Sequence, residues 1–168
     1  MSERIIIFSG EINEPTTTAF IQKLLEATEK FKDTLDRQLV ICISSDGGRV
    51  TEGFRMFDWI RQVRSDFDIS IIAEGFVASA ATFVLCAVPP ERRFARPSTF
   101  FLVHSVSQFY GGTLKDCAAN LEFANALEEK VLNIYKESTL IDRELYEKES
   151  YFDVNEALRL NLVSRILP

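Results

Sequence analysis

Ser79 and His104 are the two residues whose types could make a nucleophile and its base. Ser79 lies in "AEGFVASAATFVLCAV" (73–88), flanked by Ala78, Ala80 and Ala81, and His104, the only histidine among 168 residues, closes "FFLVHS". A serine hydroxyl is a poor nucleophile at neutral pH and needs a base within hydrogen-bond reach; imidazole titrates in the right range. The oxyanion formed by such an attack needs two N–H donors. The helix start after Ser79 offers one. The paired glycines of "SSDGGRV" (44–50) offer another, since no Cβ blocks approach to their backbone. Each feature also has a plainer reading: Ser79 as a helix N-cap, Gly47-Gly48 as an ordinary turn, His104 as a hydrogen-bonded structural residue. The glycine turn is not a P-loop, because no Gly-Lys-Ser/Thr ending follows it.

The elements that would position these residues are legible as alternating apolar runs and amphipathic stretches. "RIIIF" (4–8), "QLVICIS" (38–44) and "DISIIAE" (68–74) read as buried strands. Between them come a helix opened by Asn13 and Pro15, with Phe20, Ile21, Leu24 and Leu25 on one face, and a helix over 50–63 with Phe54, Phe57 and Ile60 inward. A helix over 80–88 follows Ser79, then turn and strand in "RRFARPSTFFLVHS" (92–105). Strand, helix, strand, helix predicts an α/β domain with a largely parallel sheet, whose sites lie at the loops after the strands. A long helix begins at a Thr113/Asp116 capping box, with Leu114, Cys117, Leu121, Ala124, Val131, Leu132 and Tyr135 at helical spacing. Its length fits a projection toward another subunit as well as it fits core packing. A short helix from Asp153 and a strand in "LVSRIL" (162–167) close the chain.

Composition narrows the function classes. The net charge is −6 and the basic residues are scattered, which disfavours nucleic acid as a partner. Cys42, Cys86 and Cys117 form no CxxC pair and read as thiols of a reducing compartment. The N-terminus has no long h-region, and the apolar run near 75–90 is too short to span a bilayer. A cytoplasmic protein of one domain, without a membrane partner, is expected.

Four segments, in order, resemble the ClpP family of serine peptidases within the ClpP/crotonase fold. "ISSDGGRVTEGFRMFDWI" is similar to that family's "NSPGG" strand-turn-helix, and "GFVASAATFVLCA" to its "GxAASMGA" segment, with Ser79 on the nucleophile. "RRFARPSTFFLVHS" resembles "RFALPNSxxMIHQP", with His104 on the catalytic histidine 25 residues after the serine. "YFDVNEALRLNLVSRIL" resembles "FMSAxEAxEYGLIDxI". The resemblance implies a spiral of ββα units with a protruding handle helix: a head of about 1–106 and 140–168 and a handle of about 107–139. It implies a metal-free, cofactor-free endopeptidase for peptides or unfolded proteins, self-associating into stacked rings around a chamber. Ser79 and His104 would be catalytic, and Gly48 and Ala80 would form the oxyanion hole. Gly47, Arg49, Val50 and Ser107 would hold an extended substrate between the glycine turn and the loop from about 107 to 112. Ser79 would serve both as helix cap and as nucleophile.

The family's third catalytic residue is an aspartate, and aligning on Glu156-Ala157 puts Glu149 in its place, in a segment about four residues shorter. The plain alternative is one more exposed charge in "ELYEKES". With the first strand starting near Arg4, the family's axial loops are expected to lack a counterpart, which weakens the case for an AAA+ ATPase partner. Asp46 replaces the proline of "SPGG", and Ser105-Val106 replaces Gln-Pro after the histidine. Ala80 replaces methionine, which predicts a wider first specificity pocket. Two other functions remain open: a catalytically weak structural subunit of a mixed complex, and an acyl-CoA enzyme of the crotonase type.

Overall fold

The computed structural model describes residues 4–107 and 112–168. In chain order the elements are β1 (Ile5–Ser9), α1 (Glu14–Phe31), β2 (Gln38–Ser45), α2 (Val50–Val63), β3 (Asp68–Ala78), α3 (Ala80–Leu85), β4 (Arg93–Ala95), β5 (Phe100–Val103), α4 (Leu114–Ser138), α5 (Arg143–Glu147), β6 (Ser150–Asp153), α6 (Val154–Arg159) and β7 (Arg165–Ile166), with a short 3-10 turn at Pro90–Arg92.

The strands form one sheet in the order β1-β2-β3-β4-β7, all parallel. β3 forks: its first part pairs with β4 and its last residues, Phe76 to Ala78, pair in parallel with Phe100 to Leu102 of β5. β6 then adds antiparallel to β5. Alternation along the strands sends Ile6, Phe8, Leu39, Ile41, Ile43, Ile69, Ile71 and Ala73 into one core beneath α1, α2 and α3. Each such aliphatic or aromatic side chain contributes about 1.5–3 kcal/mol by leaving water. On the opposite face, Ile5 and Ile7 stay exposed.

Helix starts follow the capping residues. Asn13 accepts the Thr16 N–H at 3.1 Å, and Thr113 accepts that of Asp116 at 3.2 Å while Asp116 returns a bond to the Thr113 N–H, completing the expected box. The buried face of α1 is narrower than expected, for Leu25 is exposed. The helix after Ser79 ends at Leu85 rather than Val88, and β3 runs four residues beyond Glu74, up to Ser79 itself.

α4 changes character along its length. Ala124, Leu127, Val131, Leu132 and Tyr135 are buried against the head, whereas Leu114 and Leu121, expected on the same apolar stripe, are 91% and 57% exposed. The helix therefore docks through its second half and leaves its first half unpacked. Arg93, fully buried, anchors the docked end: its Nε donates to the Val88 carbonyl (2.8 Å) and its Nη2 to Ser138 Oγ (2.6 Å). Burial lowers its pKa. Two elements were not legible in the sequence: α5, inside the acidic segment before "YFDVNEA", and β6, which consists of Ser150 and the first three residues of that motif.

Candidate active site

The strand registers bring the candidate residues to neighbouring strand ends. Ala78 lies opposite Leu102, and the Ser79 N–H donates to the Leu102 carbonyl at 2.8 Å, so His104 follows two residues beyond the serine's own anchor. On the other side of β5, Val103 faces Ser150. His104 is the first residue after β5 ends and Glu149 the last before β6 begins, so both adjoin this terminal pair. Parallel pairing on one flank of β5 and antiparallel pairing on the other thus brings together the ends of three distant strands, next to which Ser79, His104 and Glu149 stand in the sequence.

Ser79 has φ 54° and ψ −126°, a conformation that L-residues rarely adopt and that costs on the order of 1–3 kcal/mol. Such a sharp strand-to-helix turn lifts the side chain off the backbone path. Although Ser79 occupies the N-cap position of α3, its side chain makes no cap hydrogen bond, so the expected double role does not hold. The positive φ turns the hydroxyl away from the helix donors it would otherwise accept from, and leaves it on the cleft lined by Val50, Ala80, Phe83, His104, Val106, Val131, Tyr135 and Tyr146.

The glycine turn packs directly on this serine. A Cβ on Gly47 would stand 2.6 Å from the Ser79 Cβ, 2.7 Å from the Ala78 carbonyl and 3.1 Å from the Ala80 nitrogen. A Cβ on Gly48 would meet the Ile12 carbonyl at 2.2 Å. Both residues also have positive φ, so both glycines are required by close approach as well as by conformation. Convergence of the turn with Ser79, which spacing alone left open, is therefore a matter of atomic contact.

Backbone hydrogen bonds divide the turn into two edges. Ile12 donates to the Gly47 carbonyl at 2.7 Å and accepts the Arg49 N–H at 2.9 Å, so these two residues spend their groups on the segment before α1. The N–H groups of Gly48, Val50 and Ala80 carry no backbone bond among the described residues. Because successive residues of an extended segment point to opposite sides, Gly48 and Val50 present the edge that an incoming strand could use.

The base side is looser. His104 is half-buried, and no hydrogen bond joins it to Ser79 or to Glu149. Glu149 is exposed at φ 55°, unpaired among the described residues, while its neighbours are engaged: Glu144 with Lys148 and Glu147 with Arg143. Ser107 is exposed, and residues 108–111 of the expected substrate loop lie outside the described residues. Tyr135 and Tyr146, which the sequence reading did not place at the site, form its floor with rings 6.1 Å apart. Burial pushes both phenols up, and the Val106 amide beside Tyr146 pulls the other way. Among the described residues the cleft beside Ala80, lined also by Phe83 and the two tyrosines, has room for little more than one water molecule.

A parallel α/β sheet whose forked strand ends in a strained serine beside a paired-glycine turn, with a histidine on the next strand, is the arrangement of an acyl-transfer hydrolase. The family model described as Clp protease matches residues 1–168, and the chain belongs to that family and is a serine peptidase. Its relatives include the ATP-dependent Clp protease proteolytic subunit 1 of Chlamydia trachomatis, 33% identical over 178 residues that span 99% of this chain and 88% of the relative. Another is the ATP-dependent Clp protease proteolytic subunit 2 of Treponema denticola, 28% identical over 170 residues, covering 99% and 82% of the two chains. Among the described residues no helix is long and apolar enough to cross a membrane.

Proposed function

We propose that the chain is an endopeptidase that cleaves extended peptides or unfolded segments through Ser79, His104 and Glu149. The observation that carries this reading is the close approach of Gly47 to the Ser79 turn, which supports taking the unspent N–H groups of Gly48 and Ala80 as the oxyanion donors. In the proposed reaction Ser79 Oγ attacks the scissile carbonyl carbon while His104 takes its proton. The Gly48 and Ala80 N–H groups hold the oxyanion, and His104 then protonates the leaving amine. Water repeats the sequence on the acyl-enzyme. Glu149 orients the imidazole. The substrate strand pairs with the edge of Gly48 and Val50, with Gly47 and Arg49 holding that edge in place through Ile12 and Ser107 at the far side of the cleft.

The active form in this reading is an assembly of copies. A head made of the sheet and its covering helices, with the first half of α4 as a handle, leaves two apolar surfaces in water: Ile5 and Ile7 on the open sheet face, and Leu114, Leu121 and Phe123 on the handle. Monomeric proteins seldom leave such surfaces bare. Its relatives are named as subunits of ATP-dependent proteases, so assistance from an ATPase is part of the proposal for long substrates, with short peptides cut unaided.

Labelling of the assembled protein with a fluorophosphonate tests the reading, run beside Ser79→Ala and His104→Ala. Labelling and peptide turnover are expected in the wild type and lost by at least 10³-fold in both variants. Unlabelled, inactive wild-type rings would favour the structural-subunit alternative. The two spacious grooves, one against β1 and one between α2 and α4, hold no feature that points to an acyl-CoA.

A further inference from the structure

The Ser79 carbonyl is held from inside the molecule by an unusual pair of side chains. It accepts the Thr82 N–H at 3.0 Å and the Thr82 hydroxyl at 2.6 Å. Thr82 Oγ1 lies in turn 2.6 Å from the Tyr135 hydroxyl, which comes from the docked half of α4, 53 residues away. Thr82 is 0% and Tyr135 1% exposed, so neither hydroxyl has water as a partner. Since the single Thr82 proton is committed to the Ser79 carbonyl, Tyr135 must donate to Thr82. The relay runs in one direction: Tyr135 O–H to Thr82, Thr82 O–H to the Ser79 carbonyl.

That direction has a consequence at the cleft. The Ser79–Ala80 peptide unit is planar and trans, so its C=O and N–H point in opposite senses. Pinning the carbonyl toward α4 aims the Ala80 N–H the other way, and on the Ala80 nitrogen the glycine turn packs so closely that a Cβ on Gly47 would stand 3.1 Å from it. A threonine at this place in a helix commonly bonds a nearby carbonyl. Here a second, buried hydroxyl from a distant helix locks that threonine's rotamer, next to Ser79, whose φ of 54° is one that L-residues rarely adopt.

We propose that Thr82 and Tyr135 are positioning residues, a relay from α4 that sets the angle of the Ala80 N–H as oxyanion donor. The inference rests on the reading of Ala80 as part of the oxyanion hole. It also ties the donor's aim to the seating of α4, so a shift of that helix would loosen the oxyanion hole without touching Ser79 or His104.

The test compares assembled wild type, Thr82→Val, Thr82→Ser, Tyr135→Phe and the Thr82→Val/Tyr135→Phe double variant. Steady-state kinetics on a fluorogenic peptide are measured together with the affinity of a peptide boronate, whose tetrahedral adduct places a negative oxygen in the hole. Thr82→Val is expected to lower kcat about 10–100-fold, with KM within about threefold and boronate affinity falling by the same factor as kcat. Thr82→Ser restores kcat to within about threefold. Tyr135→Phe gives a smaller loss, and the double variant falls no further than Thr82→Val, because the two act in series. Wild-type kcat in Thr82→Val, or a drop in thermal stability with kcat and boronate affinity unchanged, would overturn the relay. Should Thr82→Val fail to assemble, an unchanged boronate affinity in Tyr135→Phe overturns it equally. Ser79→Ala separates the two levels: if it keeps turnover the underlying reading fails, and if it is dead while Thr82→Val is normal only the relay fails.

Discussion

The two sides of the cleft are built to different degrees of finish. On the side of Ser79 the backbone is closely held: Ser79 is hydrogen-bonded at both its N–H and its carbonyl, Gly47 lies against it, and Ala80 and Ala81 are buried. On the other side His104 and Glu149 lie just beyond the last β5–β6 pair with no bond between them, next to a loop that begins with the exposed Ser107. The first side is made of parallel strands and a helix in the core, where close packing leaves one arrangement. The second hangs on the end of β5 and the start of β6, where the pairing of these two strands stops. A single chain therefore fixes the Ser79 turn and the glycine turn beside it, and under the proposed function the alignment of His104 and Glu149 is left to what packs on that end, a neighbouring copy in the proposed assembly.

Gly47→Ala should break the finished side outright. The added methyl would sit 2.6 Å from the Ser79 Cβ at φ +92°, so overpacking and backbone strain together predict a loss of about 2–5 kcal/mol. Denaturant unfolding should register that loss, and peptide turnover should fall at least 100-fold. A variant as stable and active as wild type would mean that the turn and Ser79 do not touch.

Glu149 probes the unfinished side, and the expected effect is smaller. An exposed carboxylate is screened by water, so Glu149→Gln is expected to lower kcat only about 10-fold, far less than loss of Ser79. Glu149→Gly sharpens the comparison, because φ 55° suits glycine. It should raise thermal stability by about 0.5–1 kcal/mol while losing the same activity. Equal activity in all three proteins would return Glu149 to the status of a surface charge.

The smallest effect belongs to the handle. Leu132→Ala, at a fully buried position, should cost about 2–5 kcal/mol in unfolding, whereas Leu121→Ala should change it by less than about 0.5 kcal/mol. Any consequence of Leu121→Ala should show instead in the sedimentation of the assembly.

Most of the fold was readable before the structure because hydrophobic periodicity is a local signal. The first three strands, α1, α2 and the capped start of α4 stand close to where their apolar spacing and capping residues predict them. The failures are instructive. α5 lies in a segment rich in Glu and Lys, and β6, the short run SYFD, is specified by pairing with β5 and not by its own alternation. Leu114 and Leu121 carry a core-like period yet stay in water, because periodicity reports an apolar face and not what covers it.

The residue types of the site, Ser79, His104 and the two glycines, and their order along the chain were determined by the sequence alone, and the resemblance they carry sufficed to place the family. The tertiary structure decided three further things: that Gly47 touches Ser79, that the serine's hydroxyl is not spent on its helix, and that Tyr135 reaches Thr82 across 53 residues. Contacts of that kind depend on sheet register and on the seating of α4, which are properties of the whole packed core and leave no mark in any local stretch of residues.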